Sequence, residues 1–292
     1  MADGSARRER PRFGLSWTER ARFALAVAAV LWFLIELWTV NGLGRGFLSG
    51  DVTDIFDAAG DRLRAGLPVY THAFTGAFFY SPTYAVIYGA ISWLPPQAQQ
   101  GIVVVLELAA LRYLGGSWYG FCYTLAFPTM NFELISGQFN MVIAAGIVMA
   151  IRGDPRLAVG TTFAKLHPVV AMDPRDWRRA LPVAAIAVLI TLPWLSLWPA
   201  WFGTLLEAFG STTIGPQIPI PWLPRVAVAA VLVLAWRPWS RAAAAVLAIP
   251  AFYYSTLVMF IAPVIVLVRR IGPLESRPHP LAGLVAAVRG RR

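Results

Sequence analysis

The sequence predicts an all-α, polytopic membrane protein, and three observations carry that prediction. Of its 292 residues, 58% are hydrophobic, and the mean hydropathy is +0.60, whereas soluble domains average about 45–50% apolar. Apolar runs recur from residue 21 to residue 268, several near the roughly twenty residues that a helix needs to cross about 30 Å of hydrocarbon. The arginines gather at the ends of these runs: Arg20 and Arg22, then Arg175, Arg178 and Arg179, then Arg237 and Arg241, then Arg269 and Arg270. Positive charge flanking apolar spans is an orientation signal, so the net charge of +10 points to a membrane and away from nucleic acid. Cys122 is the only cysteine, which excludes an intramolecular disulfide and a Cys-based metal site.

Residues 1–20 read as a basic cytoplasmic tail, 21–270 as one transmembrane domain and 271–292 as a second basic cytoplasmic tail. The first span, near 21–43, is too long for a signal peptide and lacks a small-residue cleavage site, so it is expected to remain as a helix. A polar segment, 44–77, follows. Within it Val52, Ile55, Phe56, Ala59 and Leu63 recur at helical period, the pattern of a helix lying in the interface. Further spans are expected near 78–94, 99–114, 117–130, 134–151, 157–172, 180–200, 222–236, 240–252 and 254–269, ten in all. Placing 1–20, 173–179, 237–241 and 269–292 on the cytoplasmic side satisfies the largest arginine clusters. It puts 44–77 and 199–222 outside. One loop, "RGDPR" at 152–156, then stands outside against the rule.

Four of the eight aspartates crowd into 51–61. Asp54, Asp57 and Asp61 share a helical stripe and suit a solvated face near a helix N-terminus. Asp51 stands at the exit of the first span, where a carboxylate facing a cavity suits a general base. Tyr80, Pro82 and Tyr84 mark the re-entry into the membrane. They read either as an aromatic belt or as partners of a sugar. Gln138 and Asn140 either bond neighbouring helices or meet substrate. Glu107 is an intramembrane carboxylate that reads as structural, with an arginine as a candidate partner. Lys165 is the only lysine. Such a charge costs about 2.5–3.5 kcal/mol at a helix centre. Midway along a short span, it is too deep to snorkel easily along the outside. It suits an anionic partner, a carboxylate or a phosphate. His167 follows two residues on, and Pro168 bends the helix.

Several of these stretches resemble glycosyltransferase family 87, the polyprenyl-phosphate-mannose-dependent alpha-(1→2)-mannosyltransferases of GT-C type. The likeness runs over roughly 45–270. It rests on Asp51, Phe56, "DAAG", "AGLPVY" ending at Tyr70, "FFYSP" with Tyr80 and Pro82, Gly137-Gln138 with Asn140, Lys165 with Pro168 and "RDWRR", and Pro250 with Tyr253 and Tyr254. The chain is shorter than usual members, and Phe56 stands where tyrosine is common. The resemblance implies a GT-C-like bundle in the plasma membrane, with its active site on the extracytoplasmic side. It implies inverting transfer of a sugar from a polyprenyl-phosphate donor to a hydroxyl of a glycolipid or glycan acceptor, with Asp51 as base. Lys165, His167 and Arg225 would hold the donor phosphate; Asp54, Tyr70, Tyr80, Gln138 and Asn140 would meet sugar and acceptor. No nucleotide motif and no metal-ligand cluster is evident, so neither metal nor cofactor is expected. The rival classes are a transporter or lipid flippase, and a non-catalytic membrane subunit.

Overall fold

A computed structural model describes residues 16–42, 50–71, 77–210, 221–249 and 253–271. The basic tails up to 15 and beyond 271 lie outside the described residues, as does Pro250. Every regular element among the described residues is helical. Helix α1 is Trp17–Gly42. Its stretch Trp17–Thr39 is, among the described residues, the one helix long and apolar enough to cross a membrane unaided.

The expected interfacial helix is a π-helical turn, Val52–Phe56, running into α2, Asp57–Arg64. Val52, Phe56, Ala59 and Leu63 are buried, while Asp54 and Asp61 are exposed, so the apolar period does define the packed face. Helix α3 (Pro82–Ile91) lies across it. A Cβ at Gly60 would come within 2.8 Å of the Tyr88 carbonyl, so the crossing requires glycine there. Next come α4 (Pro96–Gly115), α5 (Trp118–Leu125), α6 (Met130–Ser136) and α7 (Asn140–Ile151). The α4/α5 pair bends by 118° and the α6/α7 pair by 113°; counting each as one span brings the total to three. The expected span 134–151 is therefore broken. Gly137 adopts φ 68°, a left-handed conformation that ends α6 at low cost only for glycine.

The expected span 157–172 is not one helix either. Helix α8 (Arg156–Thr162) stops after two turns, residues 163–166 reverse the chain, and a 3-10 helix, His167–Ala171, leads away. The Thr161 and Thr162 hydroxyls bond back to the Leu157 and Ala158 carbonyls at 2.9 and 2.8 Å. Pro168 has no N–H to continue a helix. The Arg179 guanidinium donates to the Gly153 carbonyl at 2.6 Å, so the two ends of this segment meet. It is a hairpin that enters the bundle and returns to the end it came from, with Lys165 at its tip. This corrects the sequence topology at its weakest point: 152–156 lies at the same end as 173–179, not opposite. Arg152 and Arg269 also interact there beside Tyr113, and Arg269 donates to the Gly115 carbonyl at the end of α4.

Helices α9 (Trp177–Leu189) and α10 (Leu197–Gly210) divide the expected span 180–200 around Pro193. Then α11 (Trp222–Leu234), α12 (Pro238–Leu247) and α13 (Ile261–Val268) complete the bundle. Leu111, Ile143, Ile147, Ala245 and Met259 form its core where α4, α7, α12 and α13 meet. Large apolar side chains on α1, α9 and α11 face outward instead, among them Leu31, Ile35, Ile186, Leu189, Val231 and Leu234. Apolar patches of this extent mark a membrane-facing or partner-facing surface.

Candidate functional site

The break at Gly137 exposes the N-terminus of α7, whose first N–H groups lack intrahelical acceptors. Two carboxylates supply them. Glu133 accepts the Asn140 N–H at 2.7 Å, and Glu107 accepts the Met141 N–H at 3.2 Å. Anionic groups belong at this end of a helix, where the peptide dipoles are positive. The partner of Glu107 is thus a helix N-terminus in place of the candidate arginine, with Glu133 and Lys165 as its charged neighbours.

Lys165 reaches the same place from the hairpin tip. Its Nζ donates to the Asn140 Oδ1 at 2.6 Å, and it interacts electrostatically with Glu133, Asp51 and Glu107. Asn140 is fully buried. Its Nδ2 donates to Glu133 Oε2 at 2.8 Å, to Gln138 Oε1 at 2.9 Å and to the Ser255 carbonyl at 3.3 Å. Ser255 Oγ donates to Gln138 Oε1 at 2.9 Å. The Gln138 amide also favours the charged form of Asp51.

Asp51 is brought in by close backbone contact. A Cβ at Gly50 would lie 2.6 Å from the Ser136 Cα, and one at Gly137 would lie 2.5 Å from the Val52 methyl. Burial pushes the Asp51 carboxyl up to about 6, against the pull of the Lys165 ammonium and the Gln138 amide, with Asp54 adding to the rise. Asp51 and Lys165, which the sequence put at different depths, thus belong to one cluster.

Aromatic rings wall it. Phe56 stacks on Tyr88 at 4.6 Å and meets Tyr80 edge-on at 4.8 Å; Tyr84 packs against Tyr80 and Phe139. Tyr80 and Tyr88 both interact electrostatically with Asp51. The Tyr88 hydroxyl is buried without a hydrogen-bond partner among the described residues. The Tyr70 hydroxyl donates to the Tyr80 carbonyl at 2.7 Å, so it braces the wall. Asp54 is exposed beside Asp51. Asp57 takes a hydrogen bond from Gln99 at 2.6 Å and fastens α2 to α4.

His167 is buried, and its Nδ1 meets the Ala245 carbonyl at 2.7 Å. A carbonyl only accepts, so Nδ1 carries the proton. In the neutral ring Nε2 is then an acceptor, and it has no partner among the described residues. Such a lone pair suits a hydroxyl; holding a phosphate would require the imidazolium. Arg225 donates to the Ile249 carbonyl at 2.6 Å and to Leu247 at 3.4 Å. It serves the C-terminal end of α12, about one turn beyond Ala245.

Sequence reasoning missed Glu133, Tyr88 and Ser255. A carboxylate inside an apolar run was signal enough for Glu133. Nothing local marks Ser255, which arrives from more than a hundred residues away. Among the described residues no group of three or more His, Cys, Asp or Glu is placed to hold a metal ion. Comparison with family models, with curated proteins and with solved structures gives no match to the chain. The chemistry must therefore be argued from the cluster itself.

Proposed function

We propose that the protein is a multi-pass membrane glycosyltransferase, a bundle of short or broken crossings. It moves a sugar, mannose by resemblance, from a polyprenyl-phosphate donor to a hydroxyl of a glycolipid or glycan. The active side is extracytoplasmic, opposite the arginine-rich end. One observation carries the reading: Asp51 and Lys165, from distant parts of the chain, share one buried polar cluster lined by tyrosines.

Asp51 accepts the proton of the acceptor hydroxyl as its oxygen attacks the anomeric carbon from the face opposite the phosphate. The bond from that carbon to the phosphate oxygen breaks, and the configuration inverts. The donor is a phosphodiester with one negative charge, and its leaving group is a phosphomonoester with two. Asp51 loses a charge as the phosphate gains one, so the site's total is unchanged. Neutralising Asp51 frees part of the Lys165 field for the leaving group, where an oriented cation is most effective. His167 Nε2 accepts from a hydroxyl of the sugar.

The test is transfer of labelled mannose from polyprenyl-phosphate-mannose by membranes carrying wild type, Asp51→Asn or Lys165→Met. Wild-type transfer with loss in both variants is expected. Equal transfer by wild type and Asp51→Asn would remove the base from the mechanism. A transporter is the second reading, favoured by one observation: a hairpin tip and a broken helix meet at the polar cluster, as discontinuous helices do at transporter sites. Movement of the sugar lipid across proteoliposomes without transfer would select it.

A further inference from the structure

The hydrogen bonds around Asn140 have a direction, and that direction starts at Glu133. Lys165 can only donate, so the atom of Asn140 that faces it must be the oxygen. Both Glu133 oxygens accept, one from the Asn140 N–H at 2.7 Å and one from its Nδ2 at 2.8 Å. These two neighbours leave the Asn140 amide one orientation. Its nitrogen then also faces Gln138, at 2.9 Å, which requires the Gln138 oxygen on that side. Ser255 Oγ donates to the same oxygen. The Gln138 Nε2 is thereby left as the end that faces away from Asn140 and Ser255, which agrees with the amide favouring the charged form of Asp51, a group that can only accept. The order of donors and acceptors is consistent from Glu133 to both Asp51 and Lys165.

We propose that Glu133 is a positioning residue which sets the polarity of this amide relay, so that Asp51 always receives an N–H and Lys165 always meets an oxygen. The inference rests on the reading of Asp51 as the base, but its geometry does not. The Asn140 backbone N–H cannot turn around. Glu133→Gln would therefore offer that N–H its oxygen and present an NH2 to Asn140. The Asn140 amide must then flip, placing its nitrogen against Lys165 and its oxygen against Gln138. Gln138 flips in turn and places its oxygen against Asp51. The charge swap Glu133→Gln with Asn140→Asp keeps the charge count and gives Lys165 a carboxylate. It too requires Gln138 to turn its NH2 inward and its oxygen to Asp51. This second variant leaves residues 133, 140 and 165 satisfied and is expected to fold.

The groups facing Asp51 are Lys165 from the hairpin tip, Asp54 from its own segment, Glu133 from α6, and Tyr80 and Tyr88 from the α3 region. Lys165, Asp54 and both tyrosines are unchanged in either variant. The measurement is an isotope-edited infrared titration of the purified full chain carrying 13C-aspartate. Each protein is recorded with and without Asp51→Asn, so that the difference reads the Asp51 carboxyl alone. In the charge swap, losing the N–H that favours its charged form should raise the Asp51 midpoint by about one pH unit, a tenfold gain in proton affinity, whereas in Glu133→Gln alone the loss of the like charge of Glu133 opposes that rise. Ser255→Ala, which leaves the direction intact, should leave the midpoint where it is. A folded charge-swap variant with an unmoved midpoint would overturn the relay. Absence of sugar transfer by wild type would sink the glycosyltransferase reading while this titration still decides the role of Glu133.

Discussion

At the scale of single residues, Asp51 and Lys165 explain each other. A buried carboxylate without compensation would simply take up a proton, and a buried ammonium would lose one. Together with Asn140 and Gln138 each has a partner. With its carboxyl raised to about 6, Asp51 is a stronger base than an exposed aspartate and is still ionised at pH 7. Transfer should hold steady above pH 7 and fall about tenfold per unit well below the midpoint, because the protonated form cannot accept the hydroxyl proton. A pH–rate profile checks this. Stability responds with the opposite sign. Between 3.8 and about 6 the folded state holds the Asp51 proton more tightly than the unfolded chain does, so the Asp51 contribution declines as pH rises through that window. Thermal melts of wild type and Asp51→Asn across it should converge at the low end and favour the variant at the high end. Removing Lys165 leaves Asn140 Oδ1 and the nearby carboxylates uncompensated. Lys165→Met should therefore cost about 3–5 kcal/mol, read from denaturation in detergent, in addition to its effect on transfer.

At the scale of elements, two breaks make the site. Gly137 ends α6 so that α7 can present its N-terminus to Glu133 and Glu107. Gly137→Ala must accept both a positive φ and a Cβ 2.5 Å from the Val52 methyl and 2.7 Å from the Gln100 Oε1. The backbone conformation alone costs about 1–2 kcal/mol, and the contacts add to it. The melting temperature should drop, and the Asp51 midpoint should move with it because Val52 adjoins Asp51. The hairpin tip is the second break. Arg179→Ala removes the hydrogen bond that closes its base, and limited proteolysis between 153 and 179 should quicken. The breaks were only partly readable beforehand. Apolar composition continues through 134–151 and 157–172, and a run of apolar residues looks alike whether it crosses or turns back. Gly137 and Pro168 were visible. What they do depends on which neighbours are there to take the freed backbone groups.

At the scale of the whole molecule, the bundle has two unlike ends. Helix α7 separates them by its 12 residues, about 18 Å. Asn140 and the carboxylates stand at one end. Beyond Ile151, at the other, Arg152, Arg179 and Arg269 gather with the Gly115 terminus of α4. One polarity therefore holds for clusters that the sequence topology split across the membrane. Single cysteines at 153 and 175, in a Cys122→Ala background, should be labelled by an impermeant thiol reagent from the same side. Labelling from opposite sides would return 157–172 to a full crossing. The outward apolar faces of α1, α9 and α11 complete the picture of a chain that packs polar atoms inward and leaves hydrocarbon outside.

By itself the sequence determined the all-helical class, the amphipathic helix after the first span, and the short set of residues that carry charge or amide groups into apolar surroundings. Those follow from composition, period and the cost of desolvation, which are local properties. Only the tertiary structure decided that Asp51, Gln138, Asn140 and Lys165 form one network and that Glu133 anchors it. It also turned Tyr70 and Arg225 toward backbone carbonyls and returned 153–179 to the end it came from. Each of these is a choice of hydrogen-bond partner. A buried donor or acceptor must be satisfied by something, but the chain does not name the partner until it has folded.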